Sequence, residues 1–229
     1  MVVGLGTGST AAHVVEGLAA RVAGGLRVVG IPTSERTAAQ ARRLGIPIAT
    51  FAEHQRLDLT IDGADEVQLG TLDLIKGLGG ALLREKIVAA ASDRLVIVVD
   101  QEKLVEQLGE HTPIPVEVTQ FGWQATAVAL AKLGCVPERR YMAGEQPYVT
   151  DGGNFIMDCR FGPLADPGIT EQQLAMTVGT VESGLFVGRT SVVVVASCCS
   201  VMPESASGPK RQSMMKLPPS VTYGCSPAM

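Results

Sequence analysis

The fold is decided by the segment MVVGLGTGST at residues 1–10, in which an apolar strand runs into a glycine-rich turn. A predicted helix over residues 10–23 follows the turn. Glycines let the backbone turn tightly and expose its amides, and the amino terminus of a helix favours an anion. A strand, turn and helix in this order predict an α/β sheet with its ligand site beyond the strand ends.

Strands and helices alternate through the first half of the chain. We predict strands at residues 1–5, 26–31, 47–50, 57–62, 72–76 and 95–100, and helices at residues 10–23, 34–44 and 80–92. The strands are uniformly apolar and lie between helices, which indicates a parallel sheet covered on both faces. The predicted fold class is therefore α/β, with a Rossmann-like parallel sheet domain.

The second half has a different order of elements. We predict strands at residues 116–119, 136–142, 148–150, 154–161 and 180–187, and helices at residues 122–133 and 170–178. This order approximates β-α-β-β-α-β, the ferredoxin-like split unit. Prolines 113 and 115 mark a boundary, and residues 191–196 are expected to return to the first sheet. The predicted division is a Rossmann-like domain of residues 1–112 and 187–196 and a smaller ferredoxin-like α/β domain of residues 113–186.

Composition narrows the possible partners of the chain. A hydrophobic fraction of 46% excludes wholesale disorder in the 229 residues. A net charge of −4 without a long basic run argues against nucleic acid or an anionic membrane. No apolar run is long enough to cross a bilayer. Five cysteines, an odd number in a chain of this size, indicate reduced intracellular thiols.

The last stretch, residues 197–229, differs in composition from the rest. It holds three of the five cysteines, four of the eight methionines and five of the thirteen prolines. It has no apolar periodicity, so we predict an irregular tail.

Three interpretations of the first glycine-rich turn remain open. The hydroxyls of Thr7, Ser9 and Thr10 beside Gly8 suit a phosphate group. The same segment loosely fits a dinucleotide fingerprint, although the acidic residue expected at the end of the second strand is missing. The third possibility is a tight turn in which Ser9 or Thr10 caps the helix.

A carboxylate cluster, DGADE at residues 62–66, closes another predicted strand. Gly63 permits a sharp turn that could direct Asp62 and Asp65 into the cleft beside the first glycine-rich turn. A solvated turn is the commoner role of such clusters, and a divalent metal site is a further alternative.

A second glycine-rich turn follows Lys76 and leads into a helix that carries Glu85. Glu85 lies among leucine, isoleucine and valine, and partial burial there would raise its pKa towards that of a working base. The alternative is an ordinary helix with residues 84–86 on its solvent face. Lys103, after a strand end on the same side of the sheet, is a candidate second anion contact.

These motifs together resemble the ribose-5-phosphate isomerase family of type A. The resemblance covers residues 2–196, and its motifs lie at residues 6–10, 62–66, 76–86, 100–103, 115–118, 149–154 and 184–186. It implies an aldose–ketose isomerase that interconverts ribose 5-phosphate and ribulose 5-phosphate in the non-oxidative pentose phosphate pathway. It also implies no metal and no other cofactor, and a homodimer or homotetramer.

The resemblance implies a role for each matching residue. Glu85 would move a proton between C1 and C2, and Lys76 would stabilise the charge on the oxygen of the intermediate. Asp62 and Asp65 would bind sugar hydroxyls and assist ring opening. The other implied substrate contacts are Thr7, Gly8, Ser9 and Thr10 at the phosphate, then Gly63, Ala64, Gly77, Leu78, Gly79 and Lys103.

Members of that family begin with a helix before the first strand, which supplies a basic phosphate contact. No such helix precedes Met1, so we expect exposed apolar surface and lowered phosphate affinity. The default location is cytoplasmic, with a plastid as the alternative if an N-terminal segment is missing. Two other functions are weighed against the isomerase: a non-catalytic sugar-phosphate sensor and a dinucleotide-dependent oxidoreductase.

Overall fold

The structure is a computed structural model that describes residues 1–196 and 221–224. Its elements, in chain order, are β1 (Val2–Leu5), α1 (Ser9–Ala23), β2 (Val29–Pro32), α2 (Glu35–Arg43), β3 (Leu59–Asp62), β4 (Glu66–Gln68), β5 (Leu74–Ile75), α3 (Leu82–Ala90), β6 (Leu95–Asp100), β7 (Leu104–Val105), β8 (Ile114–Val118), α4 (Trp123–Ala131), β9 (Val136–Arg139), β10 (Phe155–Arg160), α5 (Pro167–Ala175), β11 (Thr180–Ser183), β12 (Leu185–Phe186), β13 (Val192–Ala196) and β14 (Val221–Gly224).

The main sheet has six parallel strands in the order β14-β13-β6-β3-β1-β2. Val3 and Leu5 of β1 pack against α1 and α2 on one face. On the other face, Ala89 of α3 packs with apolar side chains of β6 and β13. The predicted α/β class with helices on both faces is confirmed, as is the return of the chain at β13. The carboxyl ends of β1, β3 and β6 lie at one edge, where the sequence motifs follow them.

The second sheet has four antiparallel strands in the order β11-β8-β10-β9. With α4 and α5 between them, these strands have the chain order and pairing expected of a ferredoxin-like unit. Leu130 of α4 and Leu174 of α5 are fully buried against Val116 and Met157 of the sheet. The residue limits of the two predicted domains remain a prediction.

A third sheet, β12-β5-β4-β7, was not predicted. Residues 180–187, predicted as one strand, divide at Gly184 into β11 in the second sheet and β12 in the third. A Cβ at Gly184 would lie 2.1 Å from the carbonyl oxygen of Lys76, so only glycine permits this close approach. The chain enters the third sheet from both of the others, because β4 follows β3 of the main sheet and β12 follows β11 of the second sheet.

Three sequence predictions need correction. Residues 47–50 contain no strand, and Ile48 makes only an isolated bridge to Gly30. Residues 148–150 are likewise no strand, and Val149 makes one bridge to Phe155. Each segment therefore makes a single bridge and no ladder. Within the predicted irregular tail, β14 pairs with β13, since its Val-Thr-Tyr sequence favours a strand. The other residues of that tail lie outside the described residues.

No helix among the described residues is long and apolar enough to cross a membrane.

Candidate active site

Three ionisable side chains lie at or directly beneath the floor of a cleft at the carboxyl edge of the main sheet. Lys76 Nζ lies 3.0 Å from Asp62 Oδ2 and 3.3 Å from Glu85 Oε2. Each of these side chains is at most 4% exposed. Asp62 ends β3, Lys76 follows β5, and Glu85 lies in the first turn of α3. Separate elements therefore bring one lysine and two carboxylates into direct contact.

The backbone around Lys76 explains its position. Its N–H donates to the carbonyl of Gly184 at 2.8 Å, which extends the pairing of β5 with β12. Its Nζ donates to the carbonyl of Gly63 at 2.6 Å, and the aromatic ring of Phe186 lies 5.7 Å away. The ammonium is thus fixed by contacts from two other segments of the chain.

The two carboxylates differ in how they are bonded. Asp62 Oδ1 accepts from the N–H groups of Thr7 and Gly63, and its Oδ2 contacts Lys76, so protein groups engage both oxygens. Glu85 Oε2 is buried and has no hydrogen-bond partner among the described residues, because Lys76 is close but poorly aligned. Glu85 therefore has a free acceptor atom at the floor of the cleft.

Burial dominates the ionisation of this group. Burial raises the pKa of Glu85 to about 8, against the attraction of Lys76 and with the help of repulsion from Asp62 and Asp65. Burial also raises the pKa of Asp62, although Lys76 opposes that change. Burial disfavours charge on Lys76, but Asp62 and Glu85 outweigh it and raise the pKa of that amine. The lysine stays charged, and Glu85 is poised to exchange a proton near neutral pH.

The first glycine-rich turn forms one wall of the cleft. Gly8 has φ 127°, in the region that favours glycine, and α1 begins immediately after it. Ser9 is exposed and Thr10 half-buried, so both hydroxyls are available at the helix amino terminus. The hydroxyl of Thr7 is engaged within the protein, 2.7 Å from Thr33 Oγ1 and 2.8 Å from Ser34 Oγ. It is therefore not the free donor that the sequence predicted.

The cleft has a volume of about 250 Å³ and brings together nearly all the predicted contacts. It is lined by Thr7, Gly8, Ser9, Thr10, Gly63, Ala64, Asp65, Lys76, Gly77, Gly79, Glu85, Asp100 and Lys103. Two predicted site residues do not line it. Asp62 lies beneath the floor. The Leu78 side chain does not line the cleft and is 40% exposed. The backbone N–H of Leu78 donates to Asp65 Oδ2 at 2.9 Å.

The third carboxylate of the DGADE cluster turns away from the cleft. Glu66 is buried and accepts from the N–H groups of Gly109, His111 and Thr112 at 2.6–2.8 Å. It therefore organises a neighbouring loop. No group of three or more His, Cys, Asp or Glu side chains within the described ranges is placed to hold a metal ion.

The interpretation of residues 84–86 as a solvent-facing stretch is wrong for two of the three. Glu85 and Lys86 are 3% and 5% exposed, because α3 lies between the main sheet and the second sheet. Lys86 Nζ contacts Glu171 at 2.9 Å and Glu182 at 2.8 Å. No sequence motif predicted this second cluster, because its members lie on three separate elements, α3, α5 and β11.

Sequence reasoning also missed Arg140, which follows β9. Its guanidinium donates to the carbonyls of Gly77 and Leu78 at 2.9 and 3.0 Å. The second glycine-rich turn is thus contacted by a residue from the far half of the chain.

The cleft lies beyond the ends of parallel strands and combines a helix amino terminus, a charged lysine and a carboxylate of raised pKa. This combination is typical of an enzyme that moves protons on a small anionic molecule. Comparison with known proteins identifies the family within this class. The chain belongs to the ribose 5-phosphate isomerase A (phosphoriboisomerase A) family, whose model matches residues 29–198. The resemblance identified from the sequence motifs is therefore confirmed.

Individual relatives agree with the family model. A ribose-5-phosphate isomerase A of Gloeobacter violaceus is 66% identical over 196 residues, which cover 86% of this chain and 85% of the relative. The solved isomerase A of Methanocaldococcus jannaschii superposes with a TM-score of 0.81 at 41% identity, covering 85% of this chain and 86% of that one. A D-ribose-5-phosphate isomerase in complex with phospho-erythronic acid gives a TM-score of 0.82 at 37% identity, covering 85% and 86%.

Proposed function

We propose that this chain interconverts D-ribose 5-phosphate and D-ribulose 5-phosphate through an enediolate, with Glu85 as the base. The observation that carries the proposal is the buried carboxyl of Glu85, whose pKa is about 8 and whose Oε2 lies 3.3 Å from the Lys76 ammonium without a well-aligned hydrogen bond. A base for a carbon-bound proton must be strongly basic and yet be ionised in a useful fraction. A pKa of about 8 strengthens the base and leaves a useful fraction ionised near and above that pH.

The phosphate group of the substrate would bind at the first glycine-rich turn. There the amino terminus of α1, with the hydroxyls of Ser9 and Thr10, offers donors to an anion. Lys103 lines the same cleft and supplies a cation. Binding at this end leaves the sugar extended towards the floor, where Lys76 and Glu85 lie.

Proton transfer would then proceed at the floor of the cleft. Glu85 removes the proton from C2 of the open-chain aldose, a C1–C2 double bond forms, and negative charge develops on O1. The Lys76 ammonium stabilises that charge in a site from which water is largely excluded. Glu85 returns the proton to C1, while the O2 hydroxyl proton passes to O1, which completes the ketose with no net gain or loss of atoms.

The two aspartates would have different tasks. Asp65 lines the cleft and can accept from sugar hydroxyls during binding and ring opening. Asp62 contacts Lys76 and so fixes the ammonium near the reacting oxygen. Direct contact of Asp62 with a sugar hydroxyl remains a prediction, since protein donors engage both of its oxygens.

A sugar-phosphate sensor without catalysis would need the phosphate site but not the base. An unbonded acceptor on a buried carboxylate has no evident use in a sensor, because leaving it unpaired costs stability. The geometry of Glu85 therefore favours an enzyme.

The test is an isomerase assay of the wild-type chain and of Glu85→Gln, with excess chelator. We expect the wild type to remain active with chelator, and the variant to lose roughly 10²- to 10⁴-fold in kcat, the usual contribution of a positioned base. Glu182→Gln, which neutralises a carboxylate outside the cleft, is the matched control and should keep its activity. Full activity of Glu85→Gln would refute the role of the base, and ligand binding without wild-type turnover would favour the sensor.

Two further parts of the proposal rest on membership of the family. The chain is expected to act in the cytoplasm as a homodimer or homotetramer. Sedimentation equilibrium of the full chain measures the assembly directly, and a monomer at assay concentration would contradict this part alone.

A further inference from the structure

The second glycine-rich turn, residues 77–80, is oriented from outside by one side chain. Arg140 Nη1 donates to two successive carbonyls of this turn, Gly77 O at 2.9 Å and Leu78 O at 3.0 Å. One guanidinium nitrogen therefore contacts two adjacent peptide planes. Gly77 O also accepts from the Gly80 N–H at 2.9 Å, which closes the turn, so among the described residues the carbonyl of Leu78 is the one held by Arg140 alone.

A largely buried ion pair fixes the guanidinium itself. Asp158 on β10 accepts from Arg140 Nε at 2.8 Å through Oδ2, and its Oδ1 accepts from Nη2. The two side chains are only 12% and 20% exposed. A two-point contact of this kind sets the plane of the guanidinium, which a lysine ammonium cannot reproduce.

The planarity of the peptide bond carries this orientation into the cleft. In a trans peptide the C=O and N–H vectors point in opposite directions, so a plane whose carbonyl faces Arg140 turns its N–H away from it. The first plane gives its N–H, that of Leu78, to Asp65 Oδ2 at 2.9 Å. The second plane presents the N–H of Gly79, a residue that lines the cleft. No acceptor for this N–H occurs within the part of the chain that the structure describes.

We propose that Arg140, oriented by Asp158, is a positioning residue for the reaction. It orients the Gly79 N–H towards the sugar, and it keeps the Leu78 N–H in position to donate to Asp65. This inference rests on the proposed function, because the aimed groups matter only to a substrate that reaches the floor of the cleft. It adds a residue that directly follows β9 of the second sheet to the determinants of a site otherwise built from the first half of the chain.

The neighbouring arginine supplies a matched control. Arg139 lies in the same hairpin and stacks on the rings of Trp123, Tyr141 and Phe155, with centroid distances of 4.2–5.2 Å. It makes no described contact with residues 77–80. Arg139→Lys therefore also removes a guanidinium that packs within the second half of the chain, but it leaves the contacts to residues 77–80 unchanged.

The experiment compares Arg140→Lys, Asp158→Asn and Arg139→Lys with the wild type, using two probes. Kinetics give kcat and KM for ribose 5-phosphate, and calorimetry gives the affinities of phospho-erythronic acid and of inorganic phosphate. For Arg140→Lys we expect kcat and phospho-erythronic acid affinity each to fall roughly 10- to 100-fold, since misplacement by about 1 Å costs up to that factor. Inorganic phosphate should bind unchanged, because its site at residues 7–10 does not involve the turn.

Asp158→Asn leaves Arg140 in place but removes its orientation, so it should reproduce the same selective loss more weakly. Arg139→Lys should lower thermal stability without changing either affinity. Equal losses for both probes in Arg140→Lys, or wild-type values for both, would overturn the inference. If the wild type bound phospho-erythronic acid but showed no turnover, the proposed function would fail, while the binding difference would still decide the role of Arg140.

Discussion

Two clusters, each of one lysine and two carboxylates, lie near the same aromatic ring. Lys76 sits 5.7 Å from the centroid of Phe186 and Lys86 sits 5.0 Å from it, and each lysine contacts two carboxylates. The carboxylates around Lys86 are 22% and 28% exposed, whereas those around Lys76 are at most 4% exposed. Consecutive residues of α3, Glu85 and Lys86, belong to different clusters.

The difference between the clusters is one of solvent access and not of residue type. Glu171 and Glu182 keep water contact, and both bond to Lys86. Glu85 has lost water and gained no hydrogen bond at Oε2, so its charged form is destabilised. The Lys86 cluster therefore joins α3 to α5 and β11. The Lys76 cluster instead holds Glu85, the proposed proton acceptor, at the floor of the cleft.

The largest contrast is expected on removing each lysine. Lys76→Met leaves two buried carboxylates without a cation, which should cost about 3–5 kcal/mol of stability and abolish measurable turnover. Lys86→Met leaves carboxylates that water can reach, so we expect a smaller loss of stability and retained kcat. Chemical denaturation and the isomerase assay measure both effects. Equal kinetic losses in the two variants would show that the clusters do not differ in function.

The pH dependence of catalysis should follow the first cluster alone. The pKa of Glu85 is raised from 4.5 to about 8, so the base is protonated and inactive below that pH. We expect kcat/KM to fall about tenfold for each pH unit below 8, because this quantity reports the free enzyme. The profile of Glu182→Gln should superimpose on that of the wild type. A flat profile between pH 6 and pH 8 would contradict the assignment of Glu85.

The smallest effects are expected from the carboxylates of the second cluster. Glu171→Gln and Glu182→Gln should each lower stability by less than about 1 kcal/mol, since part-exposed ion pairs contribute little. Added salt should shrink the difference from wild type further. Urea denaturation at two salt concentrations measures both. A loss of several kcal/mol would mean that the Lys86 cluster is effectively sealed from water, like its neighbour.

Sequence reasoning succeeded where function follows a strand end. Residues 6–10, 62–65 and 76–85 could be placed together because parallel strands deliver their carboxyl ends to one edge. The apolar neighbours of Glu85 suggested partial burial as one of two interpretations, and the structure buries the side chain. Local sequence carries this kind of information because strand and helix periodicities decide which residues face inward.

The features that sequence reasoning missed depend on contacts between distant segments. The strands of the third sheet are two or three residues long, too short to show any periodicity. Asp65 and Glu66 are adjacent, yet the Asp65 side chain lines the cleft while the Glu66 side chain bonds to the loop at residues 109–112. Only the folded position of that loop explains the difference. Arg140 acts on a turn far away in sequence, and nothing in its own neighbourhood indicates this.

The pairing of β5 with β12 also bears on the order in which the molecule assembles. The N–H of Lys76 is bonded to Gly184, and Ile75 pairs with Leu185, a segment made much later by the ribosome. Contacts between such distant segments form slowly, because a long loop must close before they add stability. β5, which Lys76 directly follows, therefore has no partner at this edge while the intervening residues are being synthesised. We expect the floor of the cleft to be among the last parts of the protein to become ordered.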